Sequence, residues 1–251
     1  MFKYEMCTYP PALFESSGLP RQANKPALAD AMWDFVGKEQ TLPQRDCQIQ
    51  YVIDGGALIQ HTPWPRGFTY DGICKLYADY VTRRYGRAVI VFDGYRDEAS
   101  VKDVTHKRRT GARIGATVKF SSDMVFRSKK DEFLSNKVNK QRFIHLVAEK
   151  LEREGCITDH AKEDADVLIV QTAIEFAKTK NTILVGDDTD LLVLLCYHAD
   201  MCAKDIFFQP EPKQGDKRKR IWNIKETKAA LGQEVCSNLL FLHAVLGCDT
   251  S

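Results

Sequence analysis

Five acidic clusters interrupt or close the apolar segments of this chain, and their placement limits what it can fold into. They are Asp54 in YVIDGGALIQ, Asp93 in VIVFDGY, Asp164 and Asp166 in EDADVLI, Asp188 and Asp190 in ILVGDDTDLLVLL, and Asp249 in LHAVLGCDTS. A carboxylate that ends a buried run must emerge at the rim of a core. Gathered on one rim, such groups repel: two unit charges about 4 Å apart cost roughly 4 kcal/mol at an effective dielectric near 20. A set of this kind calls for shared protons or divalent cations, and hard oxygen ligands favour magnesium or manganese.

The runs between these acids alternate in type. Strands are expected at 48–53, 88–92, 182–185 and 206–209, and the continuous apolar run at 88–92 reads as one buried on both faces. Helical spacing appears at 68–85, where Ile73, Leu76, Tyr77, Tyr80 and Val81 share a stripe, and at 139–154, where Phe143, Val147 and Leu151 do. Further helices are expected at 26–36, 163–178, 191–198, 225–231 and 234–246, and a last strand at 220–224. Alternation of this kind predicts an α/β fold: a mostly parallel central sheet flanked by helices on both faces. In such sheets ligands bind beyond the carboxyl ends of the strands, where Asp54, Asp93 and Asp188 are expected. Residues 1–46 are Pro-rich and irregular apart from one helix, and 47–251 form the main domain. The stretch 111–137 reads as an excursion or arch over the site.

Charge and cysteine usage narrow the class. The 251 residues carry a net charge of only +2, but basic residues crowd at 105–109, 126–132 and 215–220. Acids in clusters beside basic runs suit a cation site flanked by a polyanion track. The eight cysteines form no C-x-x-C pair, which argues against zinc and for free thiols in a reducing compartment. No signal peptide or membrane span is legible, so an intracellular protein, nuclear or cytoplasmic, is expected.

The ordered set VFDG, a lysine and an arginine, an acidic pair opening a helix, D-x-D closing a strand, and L-G-C-D resembles the PIN-like superfamily, within it the flap-endonuclease type of 5'-3' nuclease. The segments are also similar to a group of uncharacterised animal PIN-like proteins. The resemblance spans roughly residues 48–251. It implies metal ligation by Asp54, Asp93, Asp164, Asp166, Asp188, Asp190 and Asp249, with two magnesium or manganese ions. It implies roles at the scissile phosphate for Lys102 and Arg109, with Lys107 and Arg108 as further substrate contacts. The partner implied is DNA or RNA. Two departures stand out. The acidic pair is aspartate where those nucleases usually carry glutamate, and Glu163 is an alternative ligand. The helix-hairpin-helix clamp that follows the last aspartate in flap endonucleases is absent here, so a domain truncated at its C-terminal end is expected.

Each acid also has a plain structural use. Asp-Gly at 54 and 93 makes strand-end turns, and Asp164, Asp166 and Asp187–Asp190 can cap helices. A non-catalytic PIN-like module that binds nucleic acid or scaffolds a complex is therefore the alternative to a nuclease. An aspartyl phosphatase is disfavoured, because no D-x-D-x-T follows the first strand. His243 falls on the apolar face of the last helix as a core histidine, and Trp64 is placed either in the core or against a nucleobase.

Overall fold

Six strands pair into one sheet in the computed structural model, which describes residues 25–37, 40, 48–94, 114–211 and 220–247. They are β1 (Ile49–Asp54), β2 (Val89–Phe92), β3 (Ile157–His160), β4 (Asn181–Val185), β5 (Ile206–Gln209) and β6 (Trp222–Asn223). The spatial order is β3-β2-β1-β4-β5-β6. All pairings are parallel except β5 with β6. The helices among the described residues are α1 (Lys25–Val36), α2 (Gly55–His61), α3 (Tyr70–Tyr85), α4 (Lys130–Ser135), α5 (Lys137–Arg153), α6 (Asp166–Ala177), α7 (Thr189–His198) and α8 (Ile224–Gly247).

Strand order explains why both faces are covered. From β1 the chain steps outward to β2 and β3, then returns past β1 to β4 and β5. Crossovers of one hand that run in opposite directions along a sheet must lie on opposite faces. Accordingly α2, α3, α4 and α5 pack on one face against Ile53, Ile90, Phe92, Ile183, Val185 and Phe207. Helices α1, α6, α7 and α8 pack on the other, against Val52, Val89, Val91, Leu184 and Phe208. Neighbouring residues of one strand thus serve different cores, as the two-residue side-chain period requires.

The reversal of direction creates a switch point between β1 and β4, where open α/β sheets bind ligands. Register aligns the strand ends there: Asp54 lies opposite Val91, and Ile53 opposite Val185. Asp54, Asp93 and the Gly186–Asp188 segment therefore leave the sheet on the same edge.

Several sequence expectations need correction. Gly55-Gly56 is not a turn beyond β1 but the start of α2, because the Asp54 side chain caps that helix at once. β3 (ITDH) is an edge strand with an exposed, mostly polar face, and hydrophobic pattern did not signal it. The stretch 111–137 contains α4, and its described extended part is strapped to the core. Phe120 stacks on Tyr70 with ring centroids 4.2 Å apart, and Val118 N donates to Asn139 Oδ1 at 2.8 Å. The span α8 is divided at the non-helical Gly232 (φ +81°), so the two helical segments expected at 225–231 and 234–246 are both present. Phe35 is exposed, and Met32 with Trp33 forms the buried face of α1. That helix packs against α7 and α8, so part of segment 1–46 belongs to the core. No helix among the described residues is long and apolar enough to cross a membrane.

One tight constraint at the strand ends is Gly55, where a Cβ would lie 2.2 Å from Phe92 Cδ1. Phe92 is fully buried and has little room to move. Gly55→Ala should lose about 1–3 kcal/mol of stability through overpacking, read as a lower urea midpoint with an unchanged slope.

Candidate metal centre

The end of β1 supplies the carboxylate of Asp54. Asp54 Oδ1 accepts from Gly56 N at 2.8 Å and Ala57 N at 3.3 Å, which fixes the side chain over the first turn of α2. A Cβ on Gly56 would stand 3.1 Å from Asp54 Oδ1 and 3.4 Å from Asp93 Oδ2. The missing side chain at Gly56 is what lets these two carboxylates flank the same spot. Burial, then the neighbouring charges of Asp93 and Asp188, push the Asp54 carboxyl up to about 6, against the pull of its two backbone donors.

Asp93 follows β2 and reaches across to the start of α6, where its Oδ1 accepts from Ala165 N at 3.1 Å. The adjoining Gly94 N donates to Glu163 O at 2.9 Å. These bonds seat the EDAD segment beside β2. Asp164 Oδ1 then accepts from Asp166 N at 3.1 Å, so Asp164 is an exposed cap at the head of α6, while Asp166 is half-buried. Beyond β4, Asp188 caps α7, with its Oδ1 accepting from Asp190 N at 3.0 Å. One oxygen each from Asp166, Asp188 and Asp190 lies within 4.8 Å of the others. The structure thus brings together Asp54, Asp93, Asp166, Asp188 and Asp190, from β1, β2, α6 and α7. Asp164 stands beside them, and the backbone carbonyl of Glu163 serves the loop after β2. Asp249, Lys102, Lys107, Arg108 and Arg109 lie outside the described residues.

Two histidines complete the surroundings. His243, 9% exposed, donates from Nε2 to Asp190 Oδ1 at 2.7 Å. The sequence places it in the apolar stripe of α8, but only the fold shows that Asp190 lies opposite. His61, at the end of α2, bonds Asp187 Oδ2 at 2.6 Å, and Asp187 Oδ1 accepts from Glu211 N at 3.0 Å. In the run Asp187-Asp188-Thr189-Asp190 the first acid is therefore tied to α2 and β5, while the later two face the cluster. Nothing in the spacing alone separates these roles. Lys130 Nζ donates to Gln60 O at 2.6 Å and Thr62 O at 2.8 Å, satisfying carbonyls at the end of α2. Trp64 is a core residue: Nε1 donates to Tyr77 Oη at 2.8 Å, and the ring packs 4.4 Å from Phe143, centroid to centroid.

An α/β fold with a carboxylate cluster at its switch point is the class that fold and geometry define. No family model matches the chain, and neither a curated protein nor a solved structure matches it.

The Asp54 carboxyl gives a pH signature. Its folded value of about 6 lies above the ordinary 3.8, so the folded state holds this proton more tightly than the unfolded chain. The resulting stabilisation is complete below about pH 4 and is lost as pH rises through 6. In EDTA, Asp54→Asn should flatten this decline and leave the protein about 1–3 kcal/mol more stable than the parent at pH 7. Urea titrations across pH 4–7.5 would show it, and an unchanged pH profile would contradict it.

Proposed function

We propose that this chain is a divalent-metal-dependent nuclease of PIN-like type, hydrolysing phosphodiester bonds of DNA or RNA. The observation that carries the reading is the Asp166, Asp188 and Asp190 oxygen triad, set against Asp54 and Asp93 at the switch point. The donors suit magnesium or manganese, being carboxylate oxygens from rigid element ends. The raised Asp54 carboxyl supports the same reading, because a site that disfavours its own ionisation in isolation gains most from a cation. Two such ions about 3.5–4 Å apart would supply an activated water and charge stabilisation for the leaving oxygen.

The chain's own residues would do the rest. Asp54 and Asp93 hold one side of the site, and Asp166, Asp188 and Asp190 the other. Asp164 and Asp249 complete the set that the sequence resemblance implies. On the same resemblance, Lys102 and Arg109 neutralise charge developing on the scissile phosphate, with Lys107 and Arg108 holding the neighbouring strand. The free thiols at the buried Cys74, Cys156, Cys196 and Cys236 suit an intracellular, reducing setting. Burial pushes the Cys196 thiol up to about 12, so it is an inert core residue.

The test is incubation of labelled single-stranded and branched DNA and RNA with the protein in magnesium, manganese or EDTA. Cleavage is expected with either metal and none with EDTA. Asp188→Asn should cut turnover by at least about 100-fold, as loss of a charge-stabilising group does, while the folded state persists. Manganese should also raise the melting temperature, because it binds only the folded site. Metal-dependent binding of the nucleic acids without cleavage would move the assignment to a binding module. No thermal shift and no cleavage with either metal would remove the metal centre altogether.

A further inference from the structure

The second half of α8 presents Cys236, Leu239 and His243 to the core. The spacing 236, 239, 243 is that of one helical stripe, so His243 occupies a position where an apolar residue would ordinarily pack. Across from it stands Asp190, whose Oδ1 receives the Nε2 proton at 2.7 Å, with the two side chains only 11% and 19% exposed. Placing a histidine in a buried stripe is unfavourable unless it is paired, and its partner here belongs to the oxygen triad rather than to the surrounding core.

We infer that His243 is a positioning residue for cation binding: it fixes the carboxylate plane of Asp190 toward Asp166 and Asp188. The inference rests on the metal-centre reading of the preceding section. Asp190 N is already committed to Asp188 Oδ1 at 3.0 Å, a bond that sets the backbone and does not itself restrain rotation of the carboxylate about χ2. Holding one oxygen from α8 removes that rotation and fixes the direction of the other. Hydrogen-bonded outer partners of ligating carboxylates commonly govern metal affinity in this way. The imidazole acts through its bond to Asp190, so its effect is on cation binding and on the geometry of the site.

Shape-compatible substitutions separate positioning from packing. Glutamine carries its amide N–H about where Nε2 lies, whereas asparagine reaches only as far as Nδ1. Manganese affinity should be measured by titration on wild type, His243→Gln, His243→Asn and His243→Phe, with far-UV circular dichroism and urea midpoints alongside. We expect His243→Asn and His243→Phe to weaken manganese binding about 10-fold or more, and His243→Gln to stay within about 3-fold of wild type. In an Asp190→Asn background the His243 substitutions should have no further effect on affinity, since the pair acts as a unit. If His243→Phe does not fold, the glutamine and asparagine comparison decides alone. Equal affinity in all folded variants, or full additivity with Asp190→Asn, would overturn the positioning role and leave the metal centre intact. A wild type that binds no manganese would overturn both.

Discussion

The carboxylate edge of the sheet depends on holding like charges together where the chain changes direction. Of five carboxylates from four elements, three are seated by backbone N–H groups. Gly56 and Ala57 serve Asp54, Ala165 serves Asp93, and Asp190 N serves Asp188. Each donor sits at the start of a helix, where the local dipole favours negative charge. The fold thus uses three helix starts to offset the repulsion that its own strand order creates. Burial first, and the charge of Asp93 after it, still raise the Asp54 carboxyl.

The same edge shows a division between acids that build and acids that gather. Asp187 bonds His61 and the Glu211 backbone, and Glu211 accepts in turn from the Tyr80 and Tyr85 hydroxyls. This network joins α2, α3, the β4 loop and the end of β5 without entering the carboxylate cluster. Asp164 likewise serves the head of α6. The structural uses seen in the sequence for Asp-rich segments are therefore real, and they coexist with a cluster made by neighbouring residues.

Much of the architecture was legible because its signals are local. Val89–Phe92 is buried at every position, so a continuous apolar run identified it. Phe143, Val147 and Leu151 lie on one buried stripe, so helical spacing identified α5. What escaped depends on contacts made at a distance. Residues Gly55 and Gly56 become helical because Asp54 caps them and Phe92 leaves no room for a side chain at 55. β3 is a strand because β2 offers it a parallel edge, not because ITDH has a strand pattern. Trp64 was ambiguous until Tyr77 appeared as its hydrogen-bond partner. Asp54, Asp93 and Asp188 were legible at one edge, since strand ends can be read, but the pairing of His243 with Asp190 was not, since it depends on how α8 packs on α7.

The kink in α8 has a mechanical consequence. Before it, Lys228 grips the end of α7 through Ala199 O at 2.5 Å, and Asn223 caps the first turn. Beyond it, the helix reaches the carboxylate cluster through His243. Eleven residues separate Gly232 (φ +81°) from His243, a lever on the order of 16 Å at the helical rise. A change of about 10° at that pivot would carry the imidazole roughly 3 Å, more than a hydrogen bond tolerates. The angular setting of one glycine, eleven residues from the histidine that meets the cluster, thereby bears on the alignment of the carboxylate edge.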